Sequence, residues 1–194
     1  MDISLFIVDD FYNNPYEVRE FALSQEFDVE GNYPGRRTKS FATPEIEATI
    51  QKIIEPSVGK ILDFSASPDT GAFQYTTALD RSWIHADSYT NWAGVCYLTP
   101  DAPASAGTGL FRHKETGAFK MPRNADGTKN EVLEKRLDIE AQDITKWELM
   151  DVVANKFNRL VLYRGDYYHQ SLNYFGKDRF SGRLFQTFFF NTEY

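Results

Sequence analysis

Two hydrophobic periodicities divide the chain. Up to about residue 68, apolar positions recur three and four apart: Val18, Phe21 and Ala22 in "NPYEVREFALSQ", then Ile46, Ile50, Ile53 and Ile54 in "TPEIEATIQKIIEPSVGKIL". That spacing predicts two amphipathic helices. Pro15 suits the first turn of one, and Thr43 with Pro44 supplies an N-cap and first position for the other. "ISLFIVDD" before them reads as a short strand, and "GNYPGRRTKSF" between them as a basic turn. From about Asp69 the pattern changes. "GAFQYTTAL", "WAGVCYLT", "GTGLFRH", "NRLVLYRG" and "GRLFQTFFFN" are short, aromatic and β-branched, and are bounded by Gly, Pro, Asp and Asn, as strands are. A charged insertion spans about 114–155. In it Thr145 and Glu148 have capping-box spacing, which predicts a short helix over "KWELMDVVAN". No repeat or low-complexity tract interrupts this order. The expectation is a mainly β, α+β fold with N-terminal helices.

Composition narrows the class. The 194 residues are 42% hydrophobic and 25% charged, the globular range, and are most simply read as one domain, 1–194. Residues 1–68 would form a helical support and 69–194 a β core. Aromatics reach 15%, which favours sheet. One cysteine, Cys96, excludes an internal disulfide and a multi-cysteine zinc site. It suits a reducing cytoplasm, and we expect Cys96 to be a small core residue. No apolar run is long enough for a bilayer span, and "MDISLFIVDDFY" lacks the basic start of a secretory signal. A net charge of −7 argues against general nucleic-acid binding, which needs a basic face.

The chemistry concentrates in "SWIHADSYTNW". Residues two apart on a strand face one side, so His85 and Asp87 would aim an imidazole and a carboxylate at one point. His169 follows a strongly apolar strand and offers a third ligand. Two histidines and a carboxylate form the facial triad of non-haem Fe(II) oxygenases, which leaves positions open for cosubstrate and O₂. Such oxygenases that use 2-oxoglutarate need a cation for its distal carboxylate. Alternation puts Arg183, Phe185, Thr187 and Phe189 on one face of the last strand. A guanidinium inside an aromatic strand needs a partner, and its fork suits a carboxylate.

With these residues in place the chain resembles the 2-oxoglutarate- and Fe(II)-dependent dioxygenases, most closely their prolyl-hydroxylase-like branch and, through its N-terminal helices, small oxygenases of bacteria and phages. The resemblance covers about Phe73 to Asn191 without the insertion. It implies a double-stranded β-helix (jelly-roll, cupin-like) core with helices packed on one sheet. It also implies Fe(II) held by His85, Asp87 and His169, and 2-oxoglutarate bound by Arg183, Tyr97 and Thr187. Tyr75 stands where a tyrosine precedes the metal histidine. The implied activity consumes O₂, releases succinate and CO₂, and hydroxylates a small molecule or a peptide; Asp87, as a carboxylate ligand, favours hydroxylation over halogenation. The alternative is a cupin-like metal-binding protein without oxygenase activity, which would not need Arg183. Arg179, with Ser181, imitates a second clamp pattern, and Arg183 is preferred because it lies inside a strand. The resemblance names no substrate and no oligomeric state. Among other residues, His113 reads as an exposed strand-end histidine in preference to one lining the substrate mouth. Trp83 and Trp92 read as pocket walls or core, and Tyr33–Arg37 as a basic turn or a lid for an anionic group.

Overall fold

The computed structural model describes residues 3–65 and 67–194. Nine strands and three helices follow in the order β1 (Leu5–Val8), α1 (Pro15–Ser24), β2 (Arg36–Ser40), α2 (Pro44–Val58), β3 (Ala72–Thr76), β4 (Trp92–Tyr97), β5 (Thr108–His113), α3 (Glu131–Ile139), β6 (Trp147–Val153), β7 (Leu160–Arg164), β8 (His169–Ser171) and β9 (Arg183–Phe190). Six strands form one sheet in the order β1-β7-β4-β9-β3-β2, and three form a second in the order β6-β5-β8. Every pairing is antiparallel.

Strand alternation builds three packed layers. On β4 and β9, Trp92, Cys96, Leu184, Phe188 and Phe190 point to one side, where they join Ala22 of α1 and Ile50, Ile54 and Val58 of α2. Ala93, Val95, Tyr97 and Phe185 point to the other side, where they meet Leu110 of β5 and Val153 of β6. The far face of the small sheet buries Phe111, Trp147 and Tyr168 against Leu137 of α3. The interior between the two sheets therefore receives every second residue of β3, β4, β7 and β9.

Both N-terminal helices form as their spacing predicts. The Thr43 hydroxyl accepts from the Ile46 N–H, and α2 stops at Val58 on Gly59, whose φ is 76°. That left-handed cap ends the helix four residues before Leu62.

Three segments depart from the sequence reading. "KWELMDVVAN" holds the strand β6, preceded by a single 3₁₀ turn over Ile144–Lys146 in place of an α-helix, and the capping box does not form. Asp143 takes the Thr145 N–H and hydroxyl, so Thr145 is not a cap. β6 then pairs along β5 from Thr108↔Val153 to His113↔Trp147, which buries Trp147 and Val153. Cross-strand burial of the two end residues outweighs a local capping signal. The basic turn contains β2, paired with β3. The insertion carries α3, capped by Asn130, which accepts from the Leu133 N–H.

Candidate active site

His85 and Asp87 lie on an extended segment outside the named strands. Main-chain bonds hold it: His85 and His169 exchange N–H···O bonds of 3.0 and 2.8 Å, and the Asp87 N–H donates to the Gly165 carbonyl at 2.7 Å. The two-residue spacing then behaves as it would in a strand. The Asp87 Oδ1 lies 3.9 Å from His85 Nε2, and its Oδ2 lies 3.8 Å from His169 Nε2. One ligand atom from each of the three residues falls within 4.8 Å of the others.

Both imidazoles are oriented by the backbone. His85 Nδ1 lies 3.0 Å from the Trp83 carbonyl and His169 Nδ1 lies 2.8 Å from the Tyr167 carbonyl. A carbonyl only accepts, so each Nδ1 carries a proton and Nε2 is the nitrogen each ring turns to the common point. Burial holds the His169 pKa well below its ordinary value, with the nearby His85 acting in the same direction. Burial raises the Asp87 carboxyl, opposed by His85 and Arg37. Asp87 Oδ2 is buried without a hydrogen-bond partner among the described residues.

These donors fit a divalent metal. With metal–ligand bonds of roughly 2.1 Å, neighbouring ligand atoms of an octahedron stand about 3.0 Å apart. With one ligand atom per residue within 4.8 Å of the others, the triangle closes to that size by less than about 2 Å on any edge. Two imidazoles and a carboxylate missing a partner are a donor set for iron, and the orphaned Oδ2 is the atom a cation would satisfy.

Tyr163 lies between this corner and Arg183. Its ring stands 4.6 Å from the His169 ring. Burial keeps its phenol protonated far above the usual range, aided by the charge of Asp87 and by Tyr97, and opposed by Arg183. Arg183 is fully buried. Its Nε donates to the Ala106 carbonyl at 3.0 Å and its Nη2 to the Gly107 carbonyl at 3.4 Å. The guanidinium also lies over the rings of Phe185, at 4.4 Å, and Tyr97, at 5.2 Å. Its Nη1 is buried with no hydrogen-bond partner among the described residues. The Tyr97 hydroxyl meets the Thr108 hydroxyl at 2.7 Å. Burial raises the Tyr97 pKa, with Arg183 lowering it in part.

The sequence-predicted residues divide. His85, Asp87 and His169 converge, and Arg183 and Tyr97 share the same interior. Thr187 lies on Arg183's face, but its hydroxyl donates to the Asp69 and Ala72 carbonyls at 2.6 and 3.1 Å. Tyr75 is not brought to the site. It pairs with Leu184 on the helix side, edge-on to Phe27 at 5.0 Å, while its neighbour Thr76 pairs with Arg183. Arg179 remains on a surface turn, with Nη1 3.5 Å from the Gln25 carbonyl. His113 is a correction: it is fully buried, between Thr116 and Glu140 at 2.9 and 2.6 Å. Trp92 belongs to the helix-side core, where its Nε1 donates to Thr192, and Cys96 lies there too. Arg37 is a buried strand residue. Its guanidinium lies 3.6 Å from the Tyr33 ring, with Nη1 2.6 Å from Asp69 and Nε donating to Gln74.

Thr108 and Tyr163 are the interior residues that the pattern did not single out. Period-two phase from Leu110 and Val161 would have pointed both inward. Trp83, whose ring stands 5.9 Å from that of His85, also lines a cavity of about 400 Å³ together with Asn32, Asp138, Ile139, Ala141 and Gln142.

Comparison with known proteins agrees on architecture. The model of the family described as "Family of unknown function (DUF6445)" matches residues 2–190. No curated protein sequence matches the chain. Among solved structures, HygX from Streptomyces hygroscopicus with nickel and 2-oxoglutarate bound superposes with a TM-score of 0.63 at 10% identity, over 98% of this chain and 84% of that one. The same protein with iron bound gives 0.61 at 10% identity, over 98% and 83%. A prolyl hydroxylase from Trichoplax adhaerens, in complex with a hypoxia inducible factor peptide fragment, gives 0.51 at 12% identity, over 96% and 83%. At these identities the likeness establishes the fold alone, which the chain shares with HygX and with this prolyl hydroxylase. Among the described residues no helix is long and apolar enough to cross a membrane.

Proposed function

The chain belongs to the DUF6445 family, and from that premise we propose that it is a non-haem Fe(II)- and 2-oxoglutarate-dependent dioxygenase acting as a hydroxylase. In this reading the chain is one cytoplasmic oxygenase domain, with a double-stranded β-helix core and an interior between the sheets that is the reaction chamber. His85, Asp87 and His169 would hold the iron. Arg183 would bind the distal carboxylate of 2-oxoglutarate, assisted by Tyr97 and Thr108. Bound iron supplies the redox chemistry that couples oxidative decarboxylation of 2-oxoglutarate by O₂, giving succinate and CO₂, to hydroxylation of a C–H bond.

The protein's own groups prepare that chemistry. The Trp83 and Tyr167 carbonyls fix both imidazoles with Nε2 forward. Tyr163 covers the inner side of His169 and excludes water there. His85 is the more exposed histidine, so a substrate approaches along Trp83. A small molecule or an extended peptide fits the cavity beside it.

One observation carries the proposal over a metal-binding protein of the same fold without oxygenase activity. Arg183 Nη1 is buried and unpartnered in the interior that also holds the triad. A plain metal site does not need an unsatisfied cation there, whereas a dicarboxylic cosubstrate answers it. The test is succinate formation and O₂ uptake by the Fe(II)-loaded protein supplied with 2-oxoglutarate, with His169→Ala as the metal-site control. We expect slow succinate release without added substrate, absent in the variant. Failure of the Mn(II)-loaded wild-type protein to bind 2-oxoglutarate would sink the proposal.

A further inference from the structure

The turn that joins β4 to β5 has an anchor besides Arg183. Asn155, two residues past β6, is 5% exposed. Its N–H donates to the Ala104 carbonyl at 3.0 Å and its Nδ2 donates to the Ala106 carbonyl at 3.1 Å. That Ala106 oxygen is the one that receives Arg183 Nε. Two donors, one from each sheet, thus converge on a single main-chain oxygen. Gly107 locks the arrangement. A Cβ there would lie 1.8 Å from the Val153 carbonyl and 2.9 Å from the Asn155 nitrogen, so the turn lies directly on the backbone of 153–155. Asn155 Oδ1 and Arg183 Nη1 are both buried without partners.

We propose that Asn155 is a positioning residue for Arg183, and through it a determinant of affinity for the distal carboxylate of a 2-oxo dicarboxylic acid. The inference rests on the reading of the site given above and deepens it. A guanidinium is planar, so the directions of its Nε and Nη2 bonds fix where Nη1 points. Those directions are set by the Ala106 and Gly107 carbonyls. The Asn155 amide holds the first of them from the side opposite Arg183. Ala104, Ser105 and Gly107 have their own ties, from the Asn155 N–H, Asn173 Nδ2 and the Leu172 N–H, so loss of the amide frees the Ala106 carbonyl in particular, and the long arginine side chain regains rotamers that aim Nη1 elsewhere. Asn155 touches no reacting atom in this scheme.

The experiment separates aim from fold. Mn(II)-loaded protein, which binds the cosubstrate without turnover, is titrated calorimetrically with 2-oxoglutarate and with 2-oxobutyrate, which lacks the distal carboxylate. For Asn155→Ala the Kd for 2-oxoglutarate should rise about tenfold, the scale of one misdirected hydrogen bond to a charged group. The Kd for 2-oxobutyrate should stay within about twofold. Asn155→Asp, nearly isosteric, serves if the alanine variant does not fold. Its carboxylate pairs with the guanidinium and should weaken 2-oxoglutarate further while sparing 2-oxobutyrate. Equal weakening of both acids, or an unchanged Kd for 2-oxoglutarate, would reduce Asn155 to a turn anchor and overturn the inference. Wild-type protein that binds neither acid would instead remove the reading of the site itself, a different result from the first two.

Discussion

Replacing Arg183 by methionine should separate stability from binding. In the free protein the guanidinium has no carboxylate beside it. Its contacts are two carbonyls and two ring faces. Losing the two hydrogen bonds costs about 1 kcal/mol each. Removing a fully buried charge whose Nη1 is unsatisfied returns a similar amount, because buried charges exchanged for apolar groups of like volume are often neutral or stabilising. The net change in unfolding free energy should stay within about 2 kcal/mol. Binding behaves differently. In the variant a distal carboxylate enters a dry interior without its cation, which costs about 3–5 kcal/mol and raises the Kd for 2-oxoglutarate at least about hundredfold. Urea unfolding and calorimetric titration of the Mn(II)-loaded protein read the two quantities on one preparation. A Kd within about fivefold of wild type would refute the assignment of the clamp. Destabilisation beyond about 4 kcal/mol would refute the charge argument.

Two further outcomes follow from the same contacts. Thr108→Val should weaken 2-oxoglutarate binding through Tyr97. Thr187→Val should leave it unchanged but lower stability by about 1–2 kcal/mol, since its hydroxyl serves the Asp69 and Ala72 carbonyls; denaturant midpoints and Kd values together discriminate the two threonines. At the surface, Arg159 and Lys156 hold the Asp9 carboxyl well below its ordinary pKa. A depressed folded-state pKa means stability present above the unfolded value of about 3.9 and lost as pH falls through the folded one. Asp9→Asn should therefore be less stable than wild type by about 0.5–1 kcal/mol at pH 7, and the difference should shrink below about pH 4. Chemical denaturation at both pH values measures it, and a constant difference would exclude the ion pair as its source.

What could be read in advance depended on whether a signal was local. β4, β7 and β9 were legible because both faces are buried, which makes their residues apolar almost throughout. Arg183 stood out because a cation inside such a strand demands a partner. Spacing singles out His85 and Asp87, and the structure shows why that works outside a strand: three main-chain bonds, two with residue 169 and one with residue 165, impose the same extended geometry. β2 was hidden because its buried residues, Arg37 and Thr38, are polar and are satisfied by residues more than thirty positions away. His113 was misjudged for the same reason: Glu140, its partner, lies in the insertion. Tyr75 shows that distance from a motif does not give phase. One residue further on, Thr76 occupies the interior.

The orientation of the two metal-site histidines has an evolutionary consequence. Their Nδ1 protons are received by the main-chain oxygens of residues 83 and 167, which every amino acid possesses. Trp83 and Tyr167 can therefore be exchanged without altering either imidazole's tautomer. If the site works as proposed, the wall around Trp83 and the metal centre are free to vary independently. A lineage could change what it hydroxylates by point substitution at the wall and leave its iron chemistry untouched.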